Sequence, residues 1–395
     1  MERNGSAISR RQAIQLFSLT AGAAGALLHP KTLSAQEAGT YAAIPDNTLF
    51  VHPSRGADGA AGSKSSPLRT LVEAARRVNQ STGTGAVTIF LSEGIYALSE
   101  TVLFKPAHRS FSKEARLTIR AEVLPDDPEW HTGRMPTLIH TMALPEGGSA
   151  CGVQIETSHV TVQGLKVLGV PVVETPKPGF LQRVYPIARF NTDLDDLEIS
   201  QCLFAGDIVT NPNHVAVIGS GSGLVVHHCV FYGAKIAVVY WLGSGTGHAM
   251  RNCVCHGLYG SAIWTAATAN DFDCRNNVVS NSNYVWTYQS RASASADTDG
   301  KSGREFGPSP NPSKDTHYKV IDCHFGGNRR LTGTGTGERL KYADYDSSFL
   351  ELLGSKVTDQ SVTLELDQTK RNYLHPIAGS EAAKVGAGLF MKSNV

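Results

Sequence analysis

The chain carries almost no surplus charge of either sign. Against 36 Lys and Arg stand 35 Asp and Glu, a formal net charge of +1 over 395 residues. That balance excludes a nucleic-acid binder driven by a basic surface, which needs an excess of cations to displace counterions from phosphates. It leaves room for a local basic groove. Long apolar runs are missing too. Outside the N-terminal stretch 16–28, no segment approaches the roughly 18 uninterrupted apolar residues of a membrane-spanning helix. No nucleotide loop, Ser-His-Asp order or His-rich zinc motif stands out. What remains is 41% hydrophobic and 18% charged residues with 39 glycines, enough for a sizeable core and many turns.

The N-terminus reads as an export signal. Ser9-Arg10-Arg11-Gln12-Ala13-Ile14 resembles the twin-arginine motif, an Ala- and Gly-rich apolar stretch follows, and Leu33-Ser34-Ala35 offers a small-residue cleavage site. The apolar part is too short for an anchor. Residues 1–35 are therefore expected to be removed, leaving a periplasmic or secreted bacterial protein without a membrane span. The twin-arginine route exports folded proteins, so a bound cofactor is permitted. Residues 36–48 read as a linker and 49–395 as one domain.

The domain is organised by an internal repeat. Leu197-Glu-Ile-Ser-Gln-Cys202, Val225-Val-His-His-Cys229, Ala249-Met-Arg-Asn-Cys253, Asp273-Cys-Arg-Asn-Asn277 and Val320-Ile-Asp-Cys323 share one shape, and Val160-Thr-Val-Gln-Gly164 fits with Gly at the key place. The key residues are spaced by 27, 24, 24 and 46. The last interval is twice 23, which implies one more coil hidden before Cys323. Short β runs at a period near 24 are what a parallel β-helix requires, with like residues stacked about 4.8 Å apart. A leucine-rich repeat shares the period, but its Leu-x-x-Leu-x-Leu pattern is not seen. Seven cysteines are present, four at the same rung position. Stacked in register with parallel Cβ vectors they sit too far apart for disulfides, so a column of buried free thiols is expected. Pro67 opens a helical pattern over 67–80, residues 291–316 read as a long polar loop, and 357–395 as a C-terminal cap packing over the last coil.

The opening run of short strand, polar loop, helix and Leu91-Ser-Glu-Gly94-Ile-Tyr96, together with the coil period, resembles right-handed parallel β-helix proteins of the pectate-lyase-like superfamily over roughly 47–350. That resemblance implies an all-β fold whose N-terminal helix covers the open end of the coil. It also implies carbohydrate work, with a polysaccharide as partner.

Three sets of residues could carry such chemistry. A lyase acting on a uronic acid needs a cation to neutralise the carboxylate, a base to take the C5 proton and an acid to assist the leaving oxygen. Lys235, His256, Tyr259 and Arg291 can supply these roles. Tyr240, Trp264 and Tyr288 lie 24 apart and should stack into one column. If outward it is an aromatic strip for sugar rings, and if inward a core ladder. His214 and His248 flank the same coils as candidate substrate contacts. The second set resembles part of the polygalacturonase-type hydrolases. Asn191-Thr192-Asp193 matches the first carboxylate motif and Gly206-Asp207 the general acid. Ile208 stands where a second Asp is expected, and Gly233-Ala234-Lys235 where Gly-His-Gly should be. Asp271 and Asp273 form a further acidic pair. In the third set, Asp193, Asp195, Asp196 and Glu198 offer oxygen ligands of the kind Ca2+ takes, with a solvated acidic turn as the plainer reading. The activity expected first is polysaccharide cleavage by β-elimination. The alternatives are a glycoside hydrolase and a non-catalytic glycan-binding protein.

Overall fold

In the computed structural model, residues 44, 47–142, 149–169, 183–207, 215–266, 268–289, 315–334, 343–344 and 347–392 are described. The signal segment 1–35, His214 and Arg291 lie outside them, as does most of the expected polar loop. The described chain winds as a right-handed parallel β-helix. Each coil gives one short strand to each of three long sheets. The first sheet has ten strands, from Thr48–Val51 to Leu350–Leu353, and the second nine, from Gly94–Leu98 to Lys356–Thr358. The third also has nine, from Val102–Phe104 to Ala343–Asp344, and only its last pairing is antiparallel.

In-register pairing turns the sequence repeat into columns. Leu49, Ile89, Ile119, Val162, Ile199, Val226, Met250, Cys274 and Val320 stack down the inner face of the first sheet, each nearly devoid of solvent contact. Burying a branched side chain of this size contributes about 1.5–3 kcal/mol. The corner between first and second sheets is a single residue with left-handed backbone: Gly164, Gln201, His228, Asn252, Asn276, Asp322 and Gly354 in successive coils. L-residues other than Gly, Asn and Asp adopt that conformation at a cost.

The residue after the corner directly precedes the second-sheet strand and points inward. It runs Leu165, Cys202, Cys229, Cys253, Asn277, Cys323, Ser355, joined by backbone bonds such as Val230 N–H to Cys202 O (2.9 Å) and Val254 N–H to Cys229 O (2.9 Å). All seven cysteines are free. In this column each thiol donates to the carbonyl two residues back, as Cys202 Sγ does to Ser200 O (3.2 Å) and Cys253 Sγ to Arg251 O (3.2 Å). A thiol is thus small, apolar and still able to satisfy a corner carbonyl. Asn277 does more: its Oδ1 accepts from Cys253 N–H (3.0 Å) and its Nδ2 donates to Met250 O (2.8 Å).

Four expectations need correction. Gly164 is not at the key place but one residue before it, at the left-handed corner, and Leu165 takes the thiol position. The hidden coil does not exist. Cys274 pairs directly with Val320, so the interval of 46 is one coil enlarged by the segment between its strands. The helix α1 spans Leu71–Gln80 rather than starting at Pro67, because Thr70 caps it, its hydroxyl accepting from Glu73 N–H (3.1 Å), while Leu68 bridges to Val51. The C-terminal tail does not close the last coil. It runs back along the outer face of the second sheet, where Val362, Leu364, Leu374 and Leu389 cover the stripe Leu203, Val230, Val254 and Val278. Arg371 anchors it to Pro125 O (2.7 Å) and Gln201 to Leu389 O (2.9 Å).

Two predictions follow from the core. Asn277→Ala strands the Cys253 N–H inside the wall and should cost about 2–4 kcal/mol. Urea unfolding measures it, and an unchanged midpoint refutes the role given to this side chain. Burial pushes the pKa of His140 and of His248 down to about 4 from an ordinary value near 6.5. Between those values the unfolded chain takes up protons that the folded chain refuses. Stability should therefore fall as pH drops from 6.5 towards 4, by at most about 1.4 kcal/mol per pH unit for each group, and be insensitive to these groups above 6.5. Urea midpoints at pH 7 and 5 read the slope, and His248→Gln should flatten it.

Candidate functional site

Of the candidate residues, Lys235 and Tyr259 share the turn between the second and third sheets. Lys235 directly precedes the strand Ile236–Tyr240, and Tyr259 sits in the same turn one coil on, before Ser261–Ala266. Backbone bonds tie the two turns, Tyr259 N–H to Ala234 O (3.2 Å) and Gly260 N–H to Lys235 O (2.8 Å). Asn283 continues the stack, its Nδ2 donating to Tyr259 O (2.6 Å). Lys235 is buried and Tyr259 half-buried. The turn at Tyr259 is one residue longer than at Lys235, and the added residue must be Gly260: a Cβ there would lie 2.5 Å from Lys235 O.

That extra residue also breaks the expected aromatic column. Tyr240 pairs with Thr265, and Thr265 with Tyr288, whereas Trp264 pairs with Val239. Tyr240 faces inward with no exposed surface, donates its hydroxyl to Ala249 O (2.7 Å) and packs on Phe272. Tyr288 is partly buried against the same core and lies 6.0 Å from Phe349. Trp264 points the other way, into a separate apolar cluster with Ile218, Ile236 and Val239, and meets Trp241 edge-on at 5.7 Å. An outward strip of all three is therefore excluded, and Tyr240 and Tyr288 are core residues. His248 is core as well. It is 2% exposed, and its Nδ1 accepts from Leu224 N–H (3.0 Å), so it holds a turn rather than a ligand.

His256 ends a strand of the second sheet, in register with Tyr232 and Ser280. Its ring stacks on Tyr232 at 5.7 Å, and burial lowers its pKa. Ser280, next in that column, accepts the tail's Val362 N–H (2.7 Å). His256 thus faces the tail-covered sheet rather than the Lys235 turn.

The acidic candidates are dispersed. Asp193 is exposed in the turn before Leu197–Ser200, and Asp207 is exposed beyond Leu203–Ala205. Two strands and a corner separate them, roughly 15 Å or more at about 3.3 Å per residue. A pair flanking one glycosidic bond needs about 5–9.5 Å. Asp271 accepts from Gly247 N–H (2.9 Å), and Asp273 is ion-paired with Arg251 (2.6 Å) and Arg275 (2.5 Å). The metal reading fares no better. Asp196 is engaged by Arg116 and by His159 Nδ1 (2.8 Å), bonds that outweigh its burial and hold its carboxyl below the ordinary range. Glu198 pairs with His227 (3.2 Å), which likewise keeps it low. Asp195 is exposed, 4.0 Å from His159. Among the described residues no group of three His, Cys, Asp or Glu side chains is placed to hold an ion, so the Asp193, Asp195 and Asp196 set does not fit calcium.

Sequence reasoning missed two features. Arg116, His159 and Asp196 each precede a first-sheet strand in consecutive coils, and only the register brings them together. At the N-terminal end, Phe50 and Phe90 stack outward at 5.1 Å beside a cleft of about 440 Å³. The signal for it was present, since Thr48-Leu-Phe50-Val and Thr88-Ile-Phe90-Leu repeat one pattern.

No family model matches the chain, and no curated protein matches it. Similar solved structures include a GH136 lacto-N-biosidase from Eubacterium ramulus, with TM-score 0.43 and 12% identity over 79% of this chain and 55% of that one. A rhamnogalacturonan lyase gives 0.37 and 13%, over 87% and 99%. The pectin methylesterase PemA from Erwinia chrysanthemi gives 0.38 and 9%, over 80% and 90%. The chain spans about half the length of the first of these.

Proposed function

We propose that the chain is an exported carbohydrate-active enzyme that cleaves a uronic-acid-containing polysaccharide by β-elimination. One observation carries the reading. Lys235 and Tyr259, a cation and a phenol, leave bonded turns on adjacent coils, about 4.8 Å apart along the axis. That spacing is close to the size of one sugar ring. Lys235 Nζ is buried in the free protein, so substrate must uncover it; beside the substrate carboxylate it offsets the charge and makes the C5 proton easier to remove. A phenol one coil away can take that proton or protonate the departing oxygen. Arg291, from the segment that follows Tyr288, is the candidate for the second cation. No step is routed through calcium, because the acidic side chains do not converge. A hydrolase built on Asp193 and Asp207 lacks the required proximity.

The test is to incubate the mature protein with acidic and neutral polysaccharides while following absorbance of unsaturated uronate and release of reducing ends. Both signals should rise together on an acidic substrate. Lys235→Ala and Tyr259→Phe should each slow the reaction by at least about 100-fold, with urea midpoints close to that of the parent. Reducing ends without absorbance, silence across the panel, or full activity in both variants would each overturn the reading. Export is tested separately: changing Arg10 and Arg11 together to Lys should leave the precursor in the cytoplasm, and continued export would refute the signal.

A further inference from the structure

The cleft at the N-terminal end lies three to five coils from Lys235, about 15–24 Å along the axis, on the first sheet and its corner rather than on the third. We propose that it is a second saccharide-binding site, built for a single uronate unit of an acidic glycan. The inference shares its ligand class with the reading above and is independent of the cleavage chemistry.

Phe50 and Phe90 stack with 18° between their planes, in register on adjacent strands. Lys64 Nζ lies over the Phe50 ring, 5.9 Å from its centroid, and the Arg120 guanidinium over Phe90 at 5.5 Å. Each ring of the stack therefore has a cation over it, and the ring edges are left to a ligand. An aromatic edge carries positive character, which suits oxygen atoms.

The polar lining is nearly charge-balanced. Arg134 pairs through Nε with Glu93 (3.0 Å) and through Nη1 with Glu129 outside the cleft (3.3 Å). Glu122 accepts from Ser92 Oγ (2.5 Å) and lies 3.8 Å from Lys64. Arg55 is left over. Its Nε donates to His52 Nε2 (2.7 Å), which fixes the guanidinium, and its terminal nitrogens make no hydrogen bond among the described residues. An exposed, oriented guanidinium fork matches a carboxylate with two parallel bonds. Glu93, 57% exposed, and Glu122, 26% exposed, provide acceptors for hydroxyl groups. One anionic group among several hydroxyls describes a uronate. The two carboxylates repel a ligand of higher charge, so a polyphosphate is disfavoured. The volume of about 440 Å³ lies within the range of small-molecule sites, about 300–1,000 Å³.

Calorimetric titration of the full mature chain carrying Lys235→Ala, which removes turnover, tests this. The probes are trimers of galacturonate, glucuronate and mannuronate, with maltotriose and acetate as controls. At least one uronate trimer should bind, maltotriose and acetate should not, and Arg55→Ala or Glu93→Gln should weaken binding about tenfold or more. Arg55→Lys, which keeps the charge but not the fork, should restore only part. No binding by any uronate trimer, equal binding of acetate, or binding indifferent to Arg55→Ala would overturn the proposal. A protein that binds through Arg55 but cleaves nothing would keep this site and lose the lyase.

Discussion

The structure depends on one repeated constraint, the single-residue corner between the first and second sheets. A parallel coil can be stacked indefinitely only if every turn occupies the same place in projection. The left-handed residue makes that corner with no slack, and the residue after it is held inward while its carbonyl accepts from the next coil, as Cys202 O does from Val230 N–H (2.9 Å). Leu165 fills that inward place with an apolar side chain, which has no donor for the corner carbonyl; a thiol is buried there as well and does donate to it. Cysteine meets both conditions, and Asn277 and Ser355 meet them with added bonds of their own. Variation is expelled to the other turns, where coils differ in length and candidate chemistry collects.

With the interior filled, the outer faces decide the rest. The outer face of the second sheet is apolar along Leu203, Val230, Val254 and Val278, and the C-terminal tail covers it. That of the third is apolar along Ile218, Val239 and Trp264. The first sheet is different. Its outer columns carry Thr, Glu, His, Arg and Asp joined in bonds between coils, such as Arg116 with Asp196 and Glu198 with His227. Ion pairs there bind one coil to the next and contribute modestly to stability, because they remain partly solvated.

The sequence made the fold legible because the corner repeats visibly, and Cys202, Cys229 and Cys253 announce the coil. What it concealed was register. The interval to Cys323 imitates two coils numerically, yet Cys274 pairs with Val320 across the whole of it. Trp264 falls in step with Tyr240 by counting and out of step by one glycine. In a strand that slip reverses the face, so an error of one residue turns an apparent sugar platform into two core residues and an outward tryptophan. The site was legible to the extent that its members share a turn. Lys235 and Tyr259 do, and their proximity was visible. His256 sits three residues before Tyr259, but the strand end between them sends it to another face.

The same rule explains why carboxylates are a poor guide on this scaffold and turns a better one. A motif read along the chain, such as Asn191-Thr-Asp193 followed by Gly206-Asp207, assumes that nearness in sequence is nearness in space. In a β-helix, fourteen residues carry the chain past two of three sheets, whereas twenty-four bring it back to the same place one layer higher. Residues a full coil apart are neighbours, and residues half a coil apart look out on different sides. Lys235 and Tyr259 are neighbours at that interval, while Arg116 with His159 and Asp196, and Phe50 with Phe90, are neighbours across single coils that inserted loops have enlarged. A constellation able to act on one ligand must be sought one coil apart, and of the acidic residues found by reading along the chain, Asp196 and Asp273 are already paired with cations of other coils.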